Sequence, residues 1–238
     1  MMKISILSDP FNFAKEFERC CHEYKSINIA AAWIGNPDDV LPYSYLERFR
    51  GKMNVTIGTS FSHTHPDAIE FLLDLKADLR IFRDGPNLFH PKIYFFSSGP
   101  KVAIFIGSSN LTYSGFYDNI EVNTLMEGIP SQKEKIQLIE LRKQIEKWHS
   151  DSFSFVPSSR WIEKYRKDYQ RQARSVKMHG IETPSLYEDE IASASWLRNA
   201  DWETYHRKVL KGLKKYNRRE EGYKKVRNCS GLGSRDFN

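Results

Sequence analysis

The chain of 238 residues is 40% hydrophobic and 28% charged with a formal net charge of +6, a balance that excludes a disordered polymer and fits one large domain or a main domain with an appendage. No apolar run approaches the roughly 20 residues of a membrane-crossing helix, and the opening MMKISILSDP carries neither a long apolar stretch nor a small-residue cleavage site, so a cytoplasmic protein is expected. Three cysteines, two of them adjacent (Cys20, Cys21 and Cys229), argue against a disulfide framework.

Strand-like and helix-like segments alternate over the first 150 residues. MKISIL reads as a strand, followed by an amphipathic helix from Pro10 to about His22 with Phe13, Phe17 and Cys20/Cys21 inward. Ser26 to Trp33 is apolar nearly throughout, the pattern of a strand buried on both faces. Asp38 to Arg50 reads as a helix stopped by Gly51. MNVTIG is a third strand, Pro66 to Leu75 a helix and DLRIF a fourth strand. FHPKIYFF and KVAIFI follow, joined by the turn Ser97-Ser98-Gly99-Pro100, which requires an antiparallel pair. A helical turn near Leu111 leads to the strand NIEVNTLM. Gln132 to His149 closes the series as a helix with Ile136, Ile139, Leu141 and Ile145 inward. The alternation predicts an α/β sandwich with a mixed sheet over residues 1–150.

Strand signals stop after residue 150, and 151–238 reads as a basic, mainly helical appendage. Trp161 to about Lys177 is a charged helix. Pro184 to Glu190 is an acidic break. Asp201 caps a second helix with Trp202, Tyr205, Val209, Leu210, Leu213 and Tyr216 on one face, and Arg207, Lys208, Lys211, Lys214 and Lys215 on the other. The last residues, NCSGLGSRDFN, read as a tail. From Asp151 onward there are 19 Lys and Arg against 12 Asp and Glu, whereas the first 150 residues hold 17 against 18. All of the basic excess is therefore in the last third, which fits either a polyanionic partner or a solvated lysine-rich face.

Two groups of polar residues interrupt sequences that otherwise read as core strands. His90 and Lys92 are two apart on one strand and so share a face; burying the lysine is costly unless an anion or partner meets it. Gly107-Ser108-Ser109-Asn110-Leu111-Thr112 follows an apolar strand and precedes a helical turn, a place where backbone N–H groups and hydroxyls suit a phosphate oxygen. Asn119, Glu121 and Asn123 then share one face of the next strand, where Glu121 can accept from an imidazole N–H and fix its tautomer.

The order His90-x-Lys92, Gly107-Ser108-x-Asn110 and Glu121 eleven residues on resembles the phospholipase D superfamily, in its nuclease branch with one motif copy per chain, which includes metal-independent restriction endonucleases. The resemblance covers residues 78–126 firmly, extends over 1–150, and does not reach 151–238. It departs at Ser97, where the motif often has an aspartate. It implies attack by His90 on phosphorus, a phosphohistidine intermediate and a second histidine as proton donor. Lys92 and Asn110 would hold the non-bridging oxygens. Glu121 would orient His90 and favour its charged form, and Ser108 would give support from behind. Ser109, and separately Lys208 and Lys211 of the basic appendage that the resemblance does not reach, are expected to contact substrate. No metal or other cofactor is implied. Because one chain carries one motif, a homodimer with His90 from each subunit and a bell-shaped pH–rate profile are expected.

The motif fixes the bond type rather than the substrate. One motif copy, the lack of a membrane segment and the basic appendage favour DNA. A restriction or phage-defence endonuclease is expected, with a helicase or ATPase as a possible partner and affinity that falls steeply with salt. The alternatives are a phosphatidyl-processing enzyme and an inert nucleic-acid-binding subunit. His63-x-His65 with Asp67 lacks an obvious third metal ligand, and the same loop, following a strand end, could instead face substrate. Cys20-Cys21-His22 reads as two core residues and a surface histidine. Trp33 and Trp148 read as packing residues, and so do Trp161 and Trp202, although these last two could stack on bases.

Overall fold

The computed structural model describes residues 2–39, 42–83 and 87–178. Its centre is one eight-stranded mixed sheet. In chain order the elements are β1 (Lys3–Leu7), α1 (Pro10–Glu23), β2 (Ser26–Ala31), α2 (Tyr43–Arg48), β3 (Lys52–Gly58), α3 (Pro66–Asp74), β4 (Asp78–Phe82), β5 (Lys92–Ser98), β6 (Lys101–Gly107), α4 (Tyr113–Tyr117), β7 (Asn123–Gly128), α5 (Gln132–Ser150), β8 (Ser154–Phe155) and α6 (Ser159–Met178). The strands lie in the order β1-β7-β6-β5-β2-β3-β4-β8. Within it β2, β3 and β4 run parallel, and β5, β6, β7, β1 and β8 join by antiparallel pairing.

The period of two along each strand divides the core. Ile27, Ile29, Val55, Ile57, Tyr94, Phe96 and Phe105 face α1, α2, α3, α4 and α6, and Phe13, Phe17, Leu46, Leu72, Phe116 and Ile162 of those helices fill that layer. Ala30, Ile93, Phe95 and Ile104 point the other way, where α5 covers them with Ile145 and the half-buried Leu138, Leu141 and Trp148. The fold is thus α/β/α in layers, with helices on both faces of a central sheet. The hairpin after β5 is as expected: Gly99 sits at φ +56, a left-handed turn position that glycine adopts at little cost.

Four sequence expectations are corrected. The helix expected over 38–50 is a short 3-10 turn at Pro37–Asp39 followed by α2; Pro42 lacks a donor and disfavours helical conformation in the residue before it. In α5 the inward stripe is Leu138, Leu141, Ile145 and Trp148, while Ile136 and Ile139 are 61% and 50% exposed. Two 3.6-period stripes can be drawn through that segment, and the sheet selects one. The strand expected from Asn119 begins only at Asn123. Finally, strand character does not end at 150, since Ile81 pairs with Phe155 and Phe82 with Ser154. Helix α6 packs on this same body: Tyr165 donates to the Thr64 carbonyl at 2.7 Å, and Arg166 pairs with Asp67 and Glu70. The division at 150 therefore falls inside the fold. A two-residue strand leaves no periodic trace in sequence, so it could not be read there.

Candidate active site

The carboxyl ends of the parallel strands meet the start of β5, the end of β6 and the start of β7 at one edge of the sheet. Ala31 is paired with both Ile57 and Lys92, Ile93 with Ile106, and Gly107 with Asn123. The register therefore sets Ala31, Lys92, Gly107 and Asn123 in one row across four adjacent strands. Pairing continues past the row, where the Ala32 N–H donates to the Pro91 carbonyl at 2.8 Å. That bond holds Trp33 and His90 beside each other just outside the sheet.

His90 and Lys92 come together, although β5 begins only at Lys92 and His90 precedes it rather than sharing the strand. The Lys92 ammonium lies 2.9 Å from each ring nitrogen of His90. Lys92 is only 9% exposed and its Nζ stands 5.4 Å from the centre of the Trp33 ring, a cation–π contact. The His90 ring meets the same indole edge-on at 4.9 Å. Burial, and secondly the neighbouring Lys92 charge, push the His90 imidazole down to about 4 from its ordinary 6.5. His90 is thus held neutral, with a nitrogen lone pair for attack, next to a cation suited to an anionic oxygen.

Asn110 is brought to the same side. The Tyr94 hydroxyl donates to the Ser109 carbonyl at 2.9 Å, which seats the turn over β5 two residues beyond Lys92. Asn110 is 7% exposed, and its Oδ1 has no hydrogen-bond partner among the described residues. A buried amide oxygen without a partner is costly in a folded protein, and turning the amide over would offer its NH2 to a phosphate oxygen. The Trp33 Nε1–H, on a side chain 3% exposed, also lacks an acceptor among the described residues. Two buried polar groups without partners thus accompany the His90–Lys92 pair.

The remaining residues divide differently from the sequence reading. Ser109, expected to touch substrate, is fully buried; its Oγ accepts from Asn123 Nδ2 at 2.7 Å and its N–H donates to Asn123 Oδ1 at 3.3 Å. It therefore fixes the turn rather than facing outward. Ser108 ties β6 to the chain before β7, receiving the Val122 N–H at 3.0 Å. Glu121 accepts from Asn119 Nδ2 at 3.1 Å and makes no hydrogen bond to His90 among the described residues. Within one chain Glu121 is thus bonded to Asn119, while the shift at His90 is toward the neutral form. The backbone before Asn123 is irregular, so strand alternation does not apply there.

His63 and His65 diverge. His63 lies on Trp33 at 4.8 Å, whereas His65 caps α3 by accepting the Asp67 N–H and meets Tyr169 edge-on. Among the described residues no group of three or more His, Cys, Asp or Glu could hold a metal ion. Cys20 and Cys21 are buried core residues, and Trp161 stacks on Tyr165 at 5.2 Å. Ser97, at the far end of β5, lies 2.6 Å from the Ser26 hydroxyl. Lys208, Lys211 and Trp202 lie outside the described residues. The sequence reading took Trp33 for packing alone and noted Asn123 on a polar face without a role, because its place between Ser109 and Gly107 depends on a register that only the sheet reveals.

No protein-family model matches the sequence, and no curated protein does. Solved structures match its fold. NucT from Helicobacter pylori superposes with a TM-score of 0.50 at 14% identity over 62% of this chain and 96% of that one. Phosphatidylserine synthase from Haemophilus influenzae superposes at 0.51 and 14% identity over 73% of this chain and 46% of its own. A phospholipase D family member, Nuc from Salmonella typhimurium, is matched at 0.48 and 16% identity over 62% of this chain and 95% of that chain. The chain has the phospholipase D-like α/β fold. The sheet edge just described carries His90-x-Lys92 and Gly107-Ser108-x-Asn110. No helix among the described residues is long and apolar enough to cross a membrane.

Proposed function

We propose that the protein is a metal-independent phosphodiesterase acting on DNA through a phosphohistidine, with a homodimeric active site. The observation that carries this reading is a half-buried imidazole held neutral against a buried lysine, with the Asn110 amide oxygen buried without a partner among the described residues at the same sheet edge. The lone pair of a His90 nitrogen attacks phosphorus, and the P–O bond to the leaving oxygen breaks as that oxygen takes a proton from the His90 of a second copy. The assembled dimer and the bound phosphate must hold that second imidazole charged, although the single chain keeps it neutral. Water then loses a proton to that second imidazole and attacks phosphorus, breaking the P–N bond and restoring both histidines. Lys92 and the Asn110 amide hold the non-bridging oxygens while charge builds on them. Two exposed apolar side chains beside Glu121 support association at this edge: Ile120 is 94% exposed and Val122 54%. The basic excess of residues 151–238 supports a polyanionic substrate, and a restriction or phage-defence setting extends the same reading.

Plasmid DNA incubated with the full chain in EDTA should be nicked, the nicking should be absent from His90→Ala, and binding should weaken steeply between low and physiological salt. Cutting that disappears in EDTA and returns with a divalent ion refutes the metal-free route. DNA binding without cutting identifies an inert binding subunit. Activity confined to phospholipid vesicles refutes DNA as the substrate.

A further inference from the structure

The segment Thr59–His65 leaves β3 at the same sheet edge as His90, and its conformation is costly. Phe61 and Ser62 stand at φ 59 and φ 55, two successive non-glycine residues in the left-handed region. Each costs roughly 1–2 kcal/mol and persists only where its surroundings over-determine it. Those surroundings are present. Thr64 Oγ donates to the Gly58 carbonyl at 2.6 Å, the His65 N–H to the Ile34 carbonyl at 2.8 Å, and Tyr165 to the Thr64 carbonyl. The loop is thus bonded to β3, to the end of β2 and to α6.

This strained loop carries aromatic rings to the reacting residue. Phe61 packs against Trp33, and the His63 ring lies 4.8 Å from the Trp33 ring and 6.3 Å from that of Phe61. Trp33 in turn meets His90. Phe61, His63, Trp33 and His90 therefore form one continuous run of rings. Trp33 is buried beneath it, and Phe61 and His63 are only half-buried. A nucleotide's base is one sugar away from its phosphate; His63 is one indole away from His90.

We propose that Phe61 and His63 form a base-stacking subsite, on which the nucleobase beside the scissile phosphate lies while the phosphate sits on His90, Lys92 and Asn110. The inference rests on the phosphodiesterase reading above and narrows it to a diester that carries a flat ring. Stacking tolerates any base because every base has a π face, and each stacked base contributes roughly 1–3 kcal/mol. The Trp33 Nε1–H supplies a donor beneath the rings. A diacylglycerol phosphodiester such as phosphatidylglycerol carries no aromatic ring one sugar's length from phosphorus.

The test compares two oligonucleotides of equal length, one of thymidines and one with every nucleotide abasic, using the full chain. The wild type should favour the base-bearing strand in kcat/KM by roughly 5- to 150-fold, the ratio that corresponds to the stacking energy of one base. Phe61→Leu, similar in volume but without a ring, should bring that ratio close to one, mainly through KM, and Phe61→Trp should restore it. Equal kcat/KM of the wild type on both strands overturns the subsite while leaving the phosphodiesterase reading intact. So does a Phe61→Leu enzyme that loses rate equally on both, because that pattern marks mere disturbance of His90. A wild type that cleaves neither strand but acts on phosphatidylglycerol vesicles overturns the nucleic-acid reading and the subsite together.

Discussion

Replacing His90 by alanine is expected to lower phosphodiester cleavage by at least roughly four orders of magnitude, because the variant loses the atom that bonds to phosphorus rather than a contact that merely steadies it. DNA binding should change little, since Lys92 and Asn110 remain, so the loss should appear in kcat and not in KM. Mixing inactive His90→Ala subunits with wild type should then poison the wild-type activity if each site draws one imidazole from each chain. Activity that falls only in proportion to the wild-type fraction would argue for a site complete within one chain.

The same residue sets the acid side of the pH profile. Burial and then Lys92 push its imidazole down to about 4, so the free enzyme keeps a neutral nucleophile well below the ordinary histidine range. The acid limb of kcat/KM, which reports the free enzyme, should therefore fall nearer 4 than 6.5. Lys92→Met removes the smaller of the two causes and should move that limb upward, though not all the way to 6.5, while depressing the rate. Stability follows the same sign. Between 6.5 and about 4 the unfolded chain binds the His90 proton and the native chain does not, so native stability falls as pH drops through that window. Urea midpoints measured across it should decline for the wild type and decline less for His90→Ala.

What was legible in the sequence follows from how far each signal reaches along the chain. The antiparallel β5–β6 pair could be read because a Gly-Pro turn and two apolar runs are local. Lys92 could be read as a polar residue within a core strand, and His90, Ser108 and Asn110 as polar residues beside the ends of such strands, since burying such groups requires a compensating partner. Trp33 could not be read as part of the site. Its apolar surroundings in SINIAAAW fit a core residue, and it is one, at 3% exposure; only the β2–β5 pairing places it under His90. Glu121 was assigned by an alternation that holds inside strands, yet the strand starts two residues later at Asn123. Phe61 gave no signal at all, because a positive φ at a non-glycine residue depends on the bonds from Thr64 and Tyr165 that hold the loop, and those come from distant elements.

Gly107→Ala should lower the rate sharply although it replaces none of the reacting groups. A Cβ there would stand 2.3 Å from Asn123 Oδ1, 2.4 Å from the Val122 carbonyl oxygen and 2.6 Å from Asn123 Cα. Two of those three atoms are backbone, so no side-chain rotation relieves the clash, and β6 must separate from the start of β7. Asn123 would be displaced with it. Asn123 is 2% exposed and holds Ser109 by both its amide oxygen and its amide nitrogen, so the turn bearing Asn110 would lose its anchor. Overpacking of this kind costs roughly 1–3 kcal/mol in stability. Misplacing a group that must meet a phosphate oxygen by about 1 Å costs on the order of 100-fold in rate. Asn123→Ala offers the complementary test: it removes the anchor without the clash and leaves the Ser109 N–H and hydroxyl buried without their partner. Both variants should therefore lose rate in kcat while keeping the His90 proton affinity of the wild type, because neither changes the burial of His90 or its distance from Lys92. A shift of the acid limb in either one would mean instead that the β6–β7 edge supports His90 directly.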